Sequence, residues 1–509
     1  MPNPEIDGTR PRRLVVMSNR LPYNLPRKPG GRPPKRNVGG LVNALEPVLA
    51  RRGGSWIGWD GAPLPSGGAV TAALEEPLVF TTRSGVELHG VPLSEREVSL
   101  HYHGFSNRAL WPLFHDFPGK GVFLPEDYAA YERVNRRFAE VALARAERGA
   151  RIWVHDFHLM LVPRFLREMG FRERIDFFLH TPFPPPEIFR VLPWREEVLQ
   201  GLLAADGVAF HIELYRDNFV RCATQLLGVE VAEGEPAGAD LLRHEGGETS
   251  AAAIAIGIDV DDFEGIARSD GVATRARRLR EVHGNRRILF SADRLDYTKG
   301  IKERLNVLER FLATHPEAVG RVVLIQIVVP SRHQVEEYRV MKREIDREVG
   351  RINGEYGREG WMPIHYRYHA LEREELVAHY RAADVALVTP LRDGMNLVAA
   401  EFAASRVDED GALVVSEFAG AAERCPGAIL VNPYDLEGSS AAIARALEMD
   451  PVERRERMVR LRERVRSNPV SRWADRCLTL VVSRPRLPVP LAASEHVGPS
   501  RVVFPWVES

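Results

Sequence analysis

The chain reads Val385-Ala-Leu-Val-Thr389 and then Arg392-Asp-Gly-Met-Asn-Leu-Val-Ala-Ala-Glu-Phe402 at the point that decides its fold. The apolar run predicts a buried strand, and a helical pattern begins after the polar turn. Free backbone N–H groups at such a helix start attract phosphate. Glu401 follows Leu397 by four residues, so it lies one turn into the helix on the same face. The segment alone leaves two interpretations open, an anion site or an ordinary strand-to-helix turn.

Short apolar runs of the same kind alternate with amphipathic helical stretches through most of the sequence. Consecutive Val, Ile and Leu are typical of strands buried on both faces of a parallel sheet. Further strands are predicted at Leu14–Met17, Ile152–Val154, Ile175–His180, Ile288–Ser291, Val322–Val329, Leu413–Ser416 and Ala428–Val431. A helix is predicted at Ile301–Ala313, where Leu305 and Leu308 share one face. The sequence therefore predicts an α/β architecture with parallel sheets.

This alternating pattern occurs twice, as two domains would require. At 509 residues the chain is too long for one core. We place the first domain at residues 1–257 and the second at residues 258–455. Residues 233–250, rich in Gly, Glu, Ala and Asp, are interpreted as a surface excursion near the junction. The helical segment 456–482 is expected to pack back on the first domain, and residues 483–509 to form a tail.

The charges nearly balance, since 69 Lys and Arg stand against 70 Asp and Glu. No global field therefore points to nucleic acid or to an anionic membrane, and any anion site must be local. Cys222, Cys425 and Cys477 are far apart and odd in number, which favours reduced thiols in the cytosol over disulfides or a zinc cluster. No signal peptide is recognisable, and no apolar run approaches the roughly 18 residues of a membrane-spanning helix. A cytoplasmic location is expected.

Residues 21–40 depart from the alternating pattern. They contain five prolines, four glycines and five basic residues. A loop of this length inside a compact domain is usually functional or disordered. It ends in Gly39-Gly40 before a helical pattern that begins at Leu41, which makes it a second candidate turn for an anion. A floppy surface insertion is the alternative.

Arg294 and Lys299 lie in one loop between a predicted strand and the helix that begins at Ile301. Both cations can therefore converge on one site, where Arg offers phosphate a bidentate fork and Lys a compact charge. A pyrophosphate leaving group needs such neutralisation. The alternative is a pair of solvated surface charges.

Asp156 and His180 lie at the carboxyl ends of two other predicted strands. Asp156 suits hydrogen bonding to a polyol, and capping of a helix is the alternative. The pattern His155-Asp156-x-His158 superficially suggests metal ligands, but no further converging ligands are evident, so a metal site is rejected. His180 precedes Thr181-Pro-Phe-Pro-Pro-Pro186, whose stiff backbone would fix the histidine at the edge of the sheet.

An aromatic cluster and two further cations complete the candidates. Tyr102 and Trp111 flank Gly104-Phe-Ser-Asn107, and aromatic rings with one polar end suit a sugar phosphate, although core packing is their usual fate. Arg20 and Arg332 each follow a predicted strand, one in each half of the chain.

Three absent motifs narrow the class of enzyme. No G-x-G-x-x-G follows the first strand, which weakens the case for a nicotinamide enzyme. No G-x-x-x-x-G-K-[ST] occurs, which argues against a P-loop kinase. No G-x-S-x-G elbow occurs, which argues against an α/β-hydrolase.

Taken together, these segments resemble the trehalose-6-phosphate synthases, which are retaining glycosyltransferases with two Rossmann-like domains facing a cleft (the GT-B fold). The resemblance runs from about Leu14 to Leu478. It rests on motifs in matching order and spacing: Ser18-Asn-Arg20, Gly39-Gly-Leu41, Trp56-Ile-Gly-Trp59, Phe105-Ser-Asn107, Leu110-Trp-Pro112, His155-Asp156, His180-Thr-Pro-Phe-Pro184, Arg294-Leu-Asp-Tyr-Thr-Lys-Gly300, Gly350-Arg-Ile-Asn-Gly354 and Arg392-Asp-Gly-Met-Asn-Leu-Val398.

The resemblance implies a nucleoside-diphosphate glucose donor, usually UDP-glucose, bound mainly to the second domain. Arg294 and Lys299 would meet its diphosphate, and Glu401 would hold its ribose. Its glucose and phosphates would be surrounded by Asp393, Gly394, Met395, Asn396 and Leu397. Gly40 would belong to a mobile loop that closes over the donor, and His180 would contact the donor sugar through its backbone carbonyl or its ring.

The resemblance also implies a glucose 6-phosphate acceptor against the first domain, with Asp156 near its hydroxyls. The residues around its phosphate would be Arg20, Tyr102, Trp111 and Arg332. The product would be α,α-trehalose 6-phosphate, formed with retention by a front-face route in which the leaving phosphate helps to deprotonate the incoming hydroxyl. The implied catalytic residues are Asp156, His180, Arg294 and Lys299. The family requires no metal or other cofactor.

Two departures from the family pattern keep a second acceptor open. His115-Asp-Phe-Pro-Gly119 and Phe210-His-Ile-Glu-Leu-Tyr215 are similar to the glucosylglycerol-phosphate synthases, whose acceptor is glycerol 3-phosphate. A non-catalytic subunit that only binds sugar phosphate is a third alternative, against which the intact Arg294 and Lys299 argue. A separate phosphatase is expected to act on the product. A homo-oligomer, and the choice among uridine, guanosine and adenosine, stay open.

Overall fold

The computed structural model folds the chain into two α/β domains that face each other across a cleft, each built on its own sheet, as predicted. It describes residues 14–25, 35–36, 40–64, 78–233, 238–244, 247–332 and 335–479. Within these ranges no helix is long and apolar enough to cross a membrane. The predicted tail, residues 483–509, lies outside them.

The first domain has a mixed sheet with a parallel centre. Its strands are β1 (Leu14–Arg20), β2 (Tyr23–Asn24), β3 (Lys35–Arg36), β4 (Gly54–Trp59), β5 (Val79–Thr81), β6 (Glu87–Gly90), β7 (Arg151–His155), β8 (Ile175–Phe178), β9 (Gly207–Phe210), β10 (Glu230–Glu233), β11 (Ala239–His244) and β12 (Gly247–Ala253). The sheet order is β10-β11-β12-β9-β8-β7-β1-β4-β6-β5, and β2 pairs separately with β3. The strands from β12 to β6 run parallel, and β10, β11 and β5 are antiparallel additions at the two edges.

The second domain has a fully parallel sheet. Its strands are β13 (Arg287–Arg294), β14 (Val322–Val329), β15 (Ile364–Arg367), β16 (Val385–Val388), β17 (Ala412–Ser416) and β18 (Ile429–Val431). They are ordered β15-β14-β13-β16-β17-β18. All four residues of β16 are buried, as the apolar run predicts for a central strand. Since β13 and β16 are neighbours, the loops that follow them meet at the same edge of the sheet.

Helices cover the faces of both sheets. In the first domain they are Gly40–Arg52, Glu95–Glu97, Trp111–Phe114, Pro125–Arg145, Val162–Glu168, Pro186–Phe189, Arg195–Leu203 and Glu213–Leu227, with a π-helical segment at Val98–Leu110. In the second they are Val260–Arg268, Asp270–His283, Ile301–Thr314, Glu336–Tyr356, Arg373–Ala382, Val398–Ser405, Leu436–Glu448 and Pro451–Arg466. The last helix is Val470–Thr479.

The interpretation of residues 233–250 as a surface excursion is wrong for most of that segment, because β11 and β12 extend the sheet there. β11 and β12 carry charged residues such as Arg243 and Glu248, which lie opposite each other in the register. The rest of β12 consists largely of Thr, Ser and Ala, so neither strand is found in a search for runs of Val, Ile and Leu.

The chain crosses between the domains twice, and the two crossings touch. Val470 N–H donates to the carbonyl of Ile258 at 3.0 Å, and Asn468 Nδ2 donates to the carbonyl of Ala255 at 3.1 Å. A Cβ at Gly257 would lie 1.8 Å from the carbonyl oxygen of Asn468, so only glycine fits this approach. The two crossings therefore form one compact junction at an end of the cleft.

The return to the first domain begins later than position 456. Helix Pro451–Arg466 packs on the second domain, where Arg462 Nη1 donates to the carbonyls of Ala403 and Ala404. Only the helix Val470–Thr479 packs on the first domain, with the Trp473 and Trp153 ring centroids 5.1 Å apart. The Arg-rich pattern of residues 451–482 is continuous, so it does not mark the point at which the chain changes domain.

Candidate active site

The loops after β13 and β16 form one wall of the cleft. Lys299 is buried in the first loop, and its Nζ lies 2.5 Å from Oδ2 of Asp393 in the second. Burial raises the pKa of Asp393, but the charge of Lys299 and its hydrogen bond outweigh burial, so the pKa is lowered overall. Asp393 is therefore a carboxylate over the whole physiological range.

The turn after Asp393 is shaped by a strained residue and a close approach. Asn396 has φ of 72°, donates from Nδ2 to Asp393 Oδ2 at 3.0 Å and accepts from the backbone N–H of Val398 at 3.2 Å. A Cβ at Gly394 would lie 2.1 Å from the carbonyl oxygen of His180, which belongs to the other domain. Met395 is buried and Leu397 half-buried, and the helix Val398–Ser405 follows. The turn thus lies at the contact between the domains.

Glu401 lies one turn into that helix, and its backbone N–H donates to the carbonyl of Leu397 at 2.9 Å. Its Oε2 accepts a hydrogen bond from Tyr380 Oη at 2.9 Å. Burial raises the pKa of Glu401, and the Tyr380 hydrogen bond and the charge of Arg373 partly oppose that effect.

The opposite wall comes from the first domain, where Asp156 and His180 are adjacent. Asp156 has φ of 74°, and its Oδ1 accepts from the backbone N–H of His180 at 3.3 Å. Burial raises the pKa of Asp156 to about 6, against hydrogen bonds from backbone N–H groups and the charges of Arg294 and Arg332. Asp156 therefore lies within the electrostatic reach of both cations of the second domain.

The ring of His180 forms a pair with a second histidine. His180 Nε2 lies 3.1 Å from His155 Nδ1, so one ring donates to the other. Burial lowers the pKa of both imidazoles well below the usual value, and both are neutral. Among the described residues, no group of three or more His, Cys, Asp or Glu side chains is arranged to hold a metal ion.

A row of rings leads from Arg20 to Asp156. Arg20 is exposed at the end of β1, and its guanidinium lies 5.1 Å from the ring centroid of Trp59. Trp59 neighbours Tyr102 with centroids 6.4 Å apart, and Tyr102 stacks on His158 at 5.7 Å. The row thus brings Arg20 and Tyr102, which are 82 positions apart in sequence, to the same side of the cleft.

Trp111 lies where the two walls meet. Its indole N–H donates to Asp296 Oδ1 at 3.3 Å, across the cleft. The guanidinium carbons of Arg332 and Arg294 lie 4.2 Å and 5.9 Å from its ring centroid. Arg332 Nη1 donates to Asp296 Oδ2 at 2.8 Å and also to Tyr338. Trp111 and Arg332 therefore face the cleft, and both also donate hydrogen bonds to Asp296.

Asp296 is the centre of this cation cluster. Burial raises its pKa, but the charges of Arg332, Lys299 and Arg294 outweigh burial, and the pKa is lowered. Asp296 thus lies among three cations, of which Lys299 also pairs with Asp393. Arg294 and Arg332 also act on Asp156.

Most of the chain matches one family of known proteins. The family model described as Glycosyltransferase family 20 matches residues 12–482. A trehalose-6-phosphate synthase of Mycolicibacterium smegmatis is 45% identical over 470 residues, which are 91% of this chain and 90% of that protein. The chain belongs to glycosyltransferase family 20. It is a glycosyltransferase, and the predicted family is confirmed.

Solved structures of similar proteins carry the two-domain fold of this family 20 chain. An α,α-trehalose-phosphate synthase (UDP-forming) from Burkholderia xenovorans in complex with glucose-6-phosphate is 33% identical, with a TM-score of 0.83 over 92% of this chain and 99% of that one. A structure from E. coli bound with UDP-2-fluoro glucose is also 33% identical, with a TM-score of 0.81 over 92% and 98% of the two chains. The GT-B fold expected from the sequence is confirmed.

The structure places the predicted site residues of this family 20 chain in one cleft. The exception is the predicted loop before Gly40, most of which lies outside the described residues. Gly40 begins the helix Gly40–Arg52, but residues 26–34 and 37–39 before it lie outside the described residues. The predicted closing loop is therefore without structural description, apart from the pairing of β2 with β3.

Four residues near the site were missed by sequence reasoning. They are Trp59, Asp116, His158 and Asp296. Asp296 and Trp59 lie inside motifs quoted above, so the motifs themselves could have pointed to them. Asp116 was noted as a departure from the family pattern, and it forms an ion pair with Arg392 of the second domain, Nε to Oδ2, at 2.8 Å.

Proposed function

We propose that this chain transfers glucose from UDP-glucose to the anomeric hydroxyl of glucose 6-phosphate, giving α,α-trehalose 6-phosphate and UDP with retention. One observation carries this proposal: cations and a fixed carboxylate on the second domain face Asp156 and an aromatic row on the first, within a single cleft. Each wall suits one of two phosphorylated substrates.

The donor fits the second domain. Lys299 and Arg294 would neutralise its diphosphate, and Arg294, which is exposed to the cleft, can move to meet it. The turn from Gly394 to Leu397 would enclose the glucose, with Asp393 accepting hydrogen bonds from sugar hydroxyls. The carboxylate of Glu401 would accept from the ribose, and Gly40 would belong to the segment that covers the donor.

The acceptor fits the first domain. Arg20 and Tyr102 would bind its phosphate, with an aromatic ring beside the sugar. Arg332 uses Nη1 for its two described hydrogen bonds, so its other N–H groups would complete the phosphate site. Trp111 would contribute its ring face, since its N–H is engaged by Asp296. Asp156 would accept from a sugar hydroxyl.

Catalysis would rest on electrostatic preorganisation. As the bond from glucose to UDP breaks, negative charge grows on the diphosphate oxygens, where Arg294 and Lys299 stabilise it. A diphosphate oxygen on the same face of the sugar would take the proton of the incoming hydroxyl, and front-face attack retains configuration. His180, neutral and fixed by His155, would contact the donor sugar. We propose that the two cations make a metal unnecessary.

A panel of acceptors tests this function. UDP release is measured with UDP-glucose and, in turn, glucose 6-phosphate, glycerol 3-phosphate, glucose or no acceptor. We expect rapid UDP release with glucose 6-phosphate and with none of the other acceptors. Release only with glycerol 3-phosphate would assign the alternative acceptor. Binding of glucose 6-phosphate without any UDP release would assign a non-catalytic role.

The product would carry its phosphate unchanged, so a separate phosphatase is expected to act on it. Replacing UDP-glucose by the guanosine and adenosine analogues in the same assay identifies the nucleoside. Sedimentation of the purified chain then decides between a monomer and a homo-oligomer.

A further inference from the structure

Arg304 is a buried cation that lies beneath the two loops of the donor wall without facing the cleft. It lies one turn into the helix Ile301–Thr314 and is only 2% exposed. A buried arginine is costly unless its N–H groups are all used, so its partners indicate what it does.

The guanidinium of Arg304 binds each segment of the donor wall. Nη2 donates to the carbonyl oxygen of Lys299 at 3.1 Å. Nε donates to Oγ1 of Thr389, the residue after β16, at 3.0 Å. Nη1 donates to Oδ2 of Asp293, near the end of β13, at 2.8 Å. A fourth bond, from Nη1 to Oε1 of Gln326 on β14, at 3.1 Å, connects the group to the sheet.

The two loops also contact each other directly. The backbone N–H groups of Leu391 and Arg392 donate to the carbonyl of Thr298 at 2.7 Å and 3.3 Å, and the side chain of Lys299 pairs with Asp393. Gly300 has φ of 61°, and a Cβ there would lie 2.4 Å from the carbonyl oxygen of Thr389. The loops therefore pack backbone against backbone above Arg304, and Arg304 binds both from the same side.

We propose that Arg304 is a positioning residue for the donor diphosphate. It fixes the backbone of Lys299 relative to the loop that carries Asp393, and so sets where the Lys299 charge meets the diphosphate. The inference rests on the proposed function, because the ligand it concerns is the diphosphate of UDP-glucose. A displacement of about 1 Å in such a site costs on the order of a hundredfold in rate.

Lysine cannot replace Arg304 in this role. Arg304→Lys keeps a cation beside Asp293, so no buried carboxylate is left without a counter-charge. A single ammonium lacks the planar fork that reaches Lys299, Thr389 and Asp293 in three directions. The matched control is Arg462→Lys, since Arg462 is also 2% exposed in the same domain. It donates to the carbonyls of Ala403 and Ala404 at the end of the helix Val398–Ser405, and to Glu264, but to neither of the two loops.

The measurement is UDP binding by calorimetry, together with kcat and KM for each substrate. We expect Arg304→Lys to weaken UDP binding and to lower kcat by about tenfold or more, with the KM for glucose 6-phosphate within about twofold of the parent. Arg462→Lys is expected to bind UDP as the parent does. Equal UDP affinity in Arg304→Lys and the parent would overturn the inference, and so would an equal loss in the Arg462→Lys control.

A second pair of variants decides the question if Arg304→Lys does not fold. Thr389→Val removes the bond from Arg304 towards the loop that carries Asp393. Gln326→Met removes the bond from Arg304 towards β14, together with the bond from Gln326 Nε2 to the carbonyl of Ile327 within that strand. We expect weakened UDP binding in Thr389→Val and an unchanged affinity in Gln326→Met. Equal affinities in the two variants would overturn the inference. If the parent chain itself binds no UDP, the proposed donor is wrong, which is a separate outcome.

Discussion

The two walls of the cleft hold their charged groups in different ways. On the donor wall, the buried Lys299 and the half-buried Asp393 form an ion pair at 2.5 Å, and Arg304 binds the loops from beneath. On the acceptor wall, Arg20 is exposed, and its described hydrogen bond is a long one, 3.3 Å to Asn24. Lys299 and Asp393 are thus fixed before the substrate arrives, whereas Arg20 has to be ordered by the ligand.

The difference between fixed and mobile charges predicts two kinds of kinetic effect when a charge is removed. Fixed charges that act on a developing negative charge lower the barrier, so their removal reduces kcat. A mobile arginine that binds the phosphate equally in ground and transition states contributes to affinity, so its removal raises KM. The walls can therefore be distinguished by which kinetic constant changes.

The largest effect is expected at Lys299. Lys299→Ala removes the cation nearest Asp393 and should lower kcat by about a hundredfold, as loss of one charge-stabilising donor does. Arg294→Ala should cost roughly tenfold or more. Lys302→Ala is the control. Lys302 lies in the helix that follows the loop, three residues after Lys299, but pairs with Glu344 at the surface. Near-normal rates in both site variants would show the diphosphate assignment to be wrong.

A pH profile tests Asp156 next. Burial raises the pKa of Asp156 to about 6, so its carboxylate form is present above pH 6 and lost below it. In the proposed function this carboxylate accepts a hydrogen bond from a hydroxyl of glucose 6-phosphate. We expect kcat/KM for glucose 6-phosphate to fall tenfold per pH unit on the acid side. The phosphate of the substrate also titrates at about pH 6. The pH profile of Asp156→Asn therefore measures the contribution of the phosphate alone. An unchanged fall on the acid side in this variant would contradict the role of Asp156.

Asp156→Asn also serves as a stability check. The pKa of Asp156 is higher in the folded chain than in a free carboxyl group, so its ionisation costs folding free energy at neutral pH. The variant should therefore melt no lower than the parent at pH 7.5.

Arg20 is expected to show the opposite kinetic pattern from Lys299. Arg20→Ala should raise the KM for glucose 6-phosphate by about tenfold and leave kcat within about threefold. Unphosphorylated glucose as acceptor should not distinguish the variant from the parent. A large loss of kcat with an unchanged KM would place Arg20 on the reacting centre instead.

The smallest effects concern the contacts between the walls. Asp116→Asn removes the partner of Arg392 in a partly buried interdomain pair, and we expect the KM for UDP-glucose to rise about threefold to tenfold. Lys120→Met is the comparison, because its pair with Glu337 also joins the domains but is exposed. An exposed pair contributes about 0–1 kcal/mol, so the KM should change by less than about fivefold. Equal effects in the two variants would contradict the account of the interface.

Much of this architecture could be predicted from the sequence, for a physical reason. Strands buried on both faces require consecutive aliphatic residues, so β14 was predicted at its full length, Val322–Val329. The strands β11 and β12 were missed because β11 is only partly buried and the buried residues of β12 are Thr, Ser and Ala. The change of domain near Pro469 was also missed, since the helices on either side share an Arg-rich pattern.

The sequence indicates the place of a charged residue in the fold where that residue follows a buried strand. Arg294, Lys299 and Asp156 could be found in this way, because loops at the carboxyl ends of parallel strands share one edge of the sheet. Arg304 was not found, since an arginine within a helix is normally exposed, although its spacing from Ile301 and Leu308 places it on the buried face. The partner of Trp111, Asp296, depends on how the domains meet, which no local pattern encodes.

Proton NMR of the isolated reaction product tests the central claim most directly. After incubation with UDP-glucose and glucose 6-phosphate, we expect one phosphorylated disaccharide, formed in equal amount to UDP. Its two anomeric carbons should share one glycosidic oxygen, and both should have the α configuration. A β linkage at the donor carbon would contradict the retaining mechanism. Free glucose and UDP without any disaccharide would contradict transfer to the acceptor.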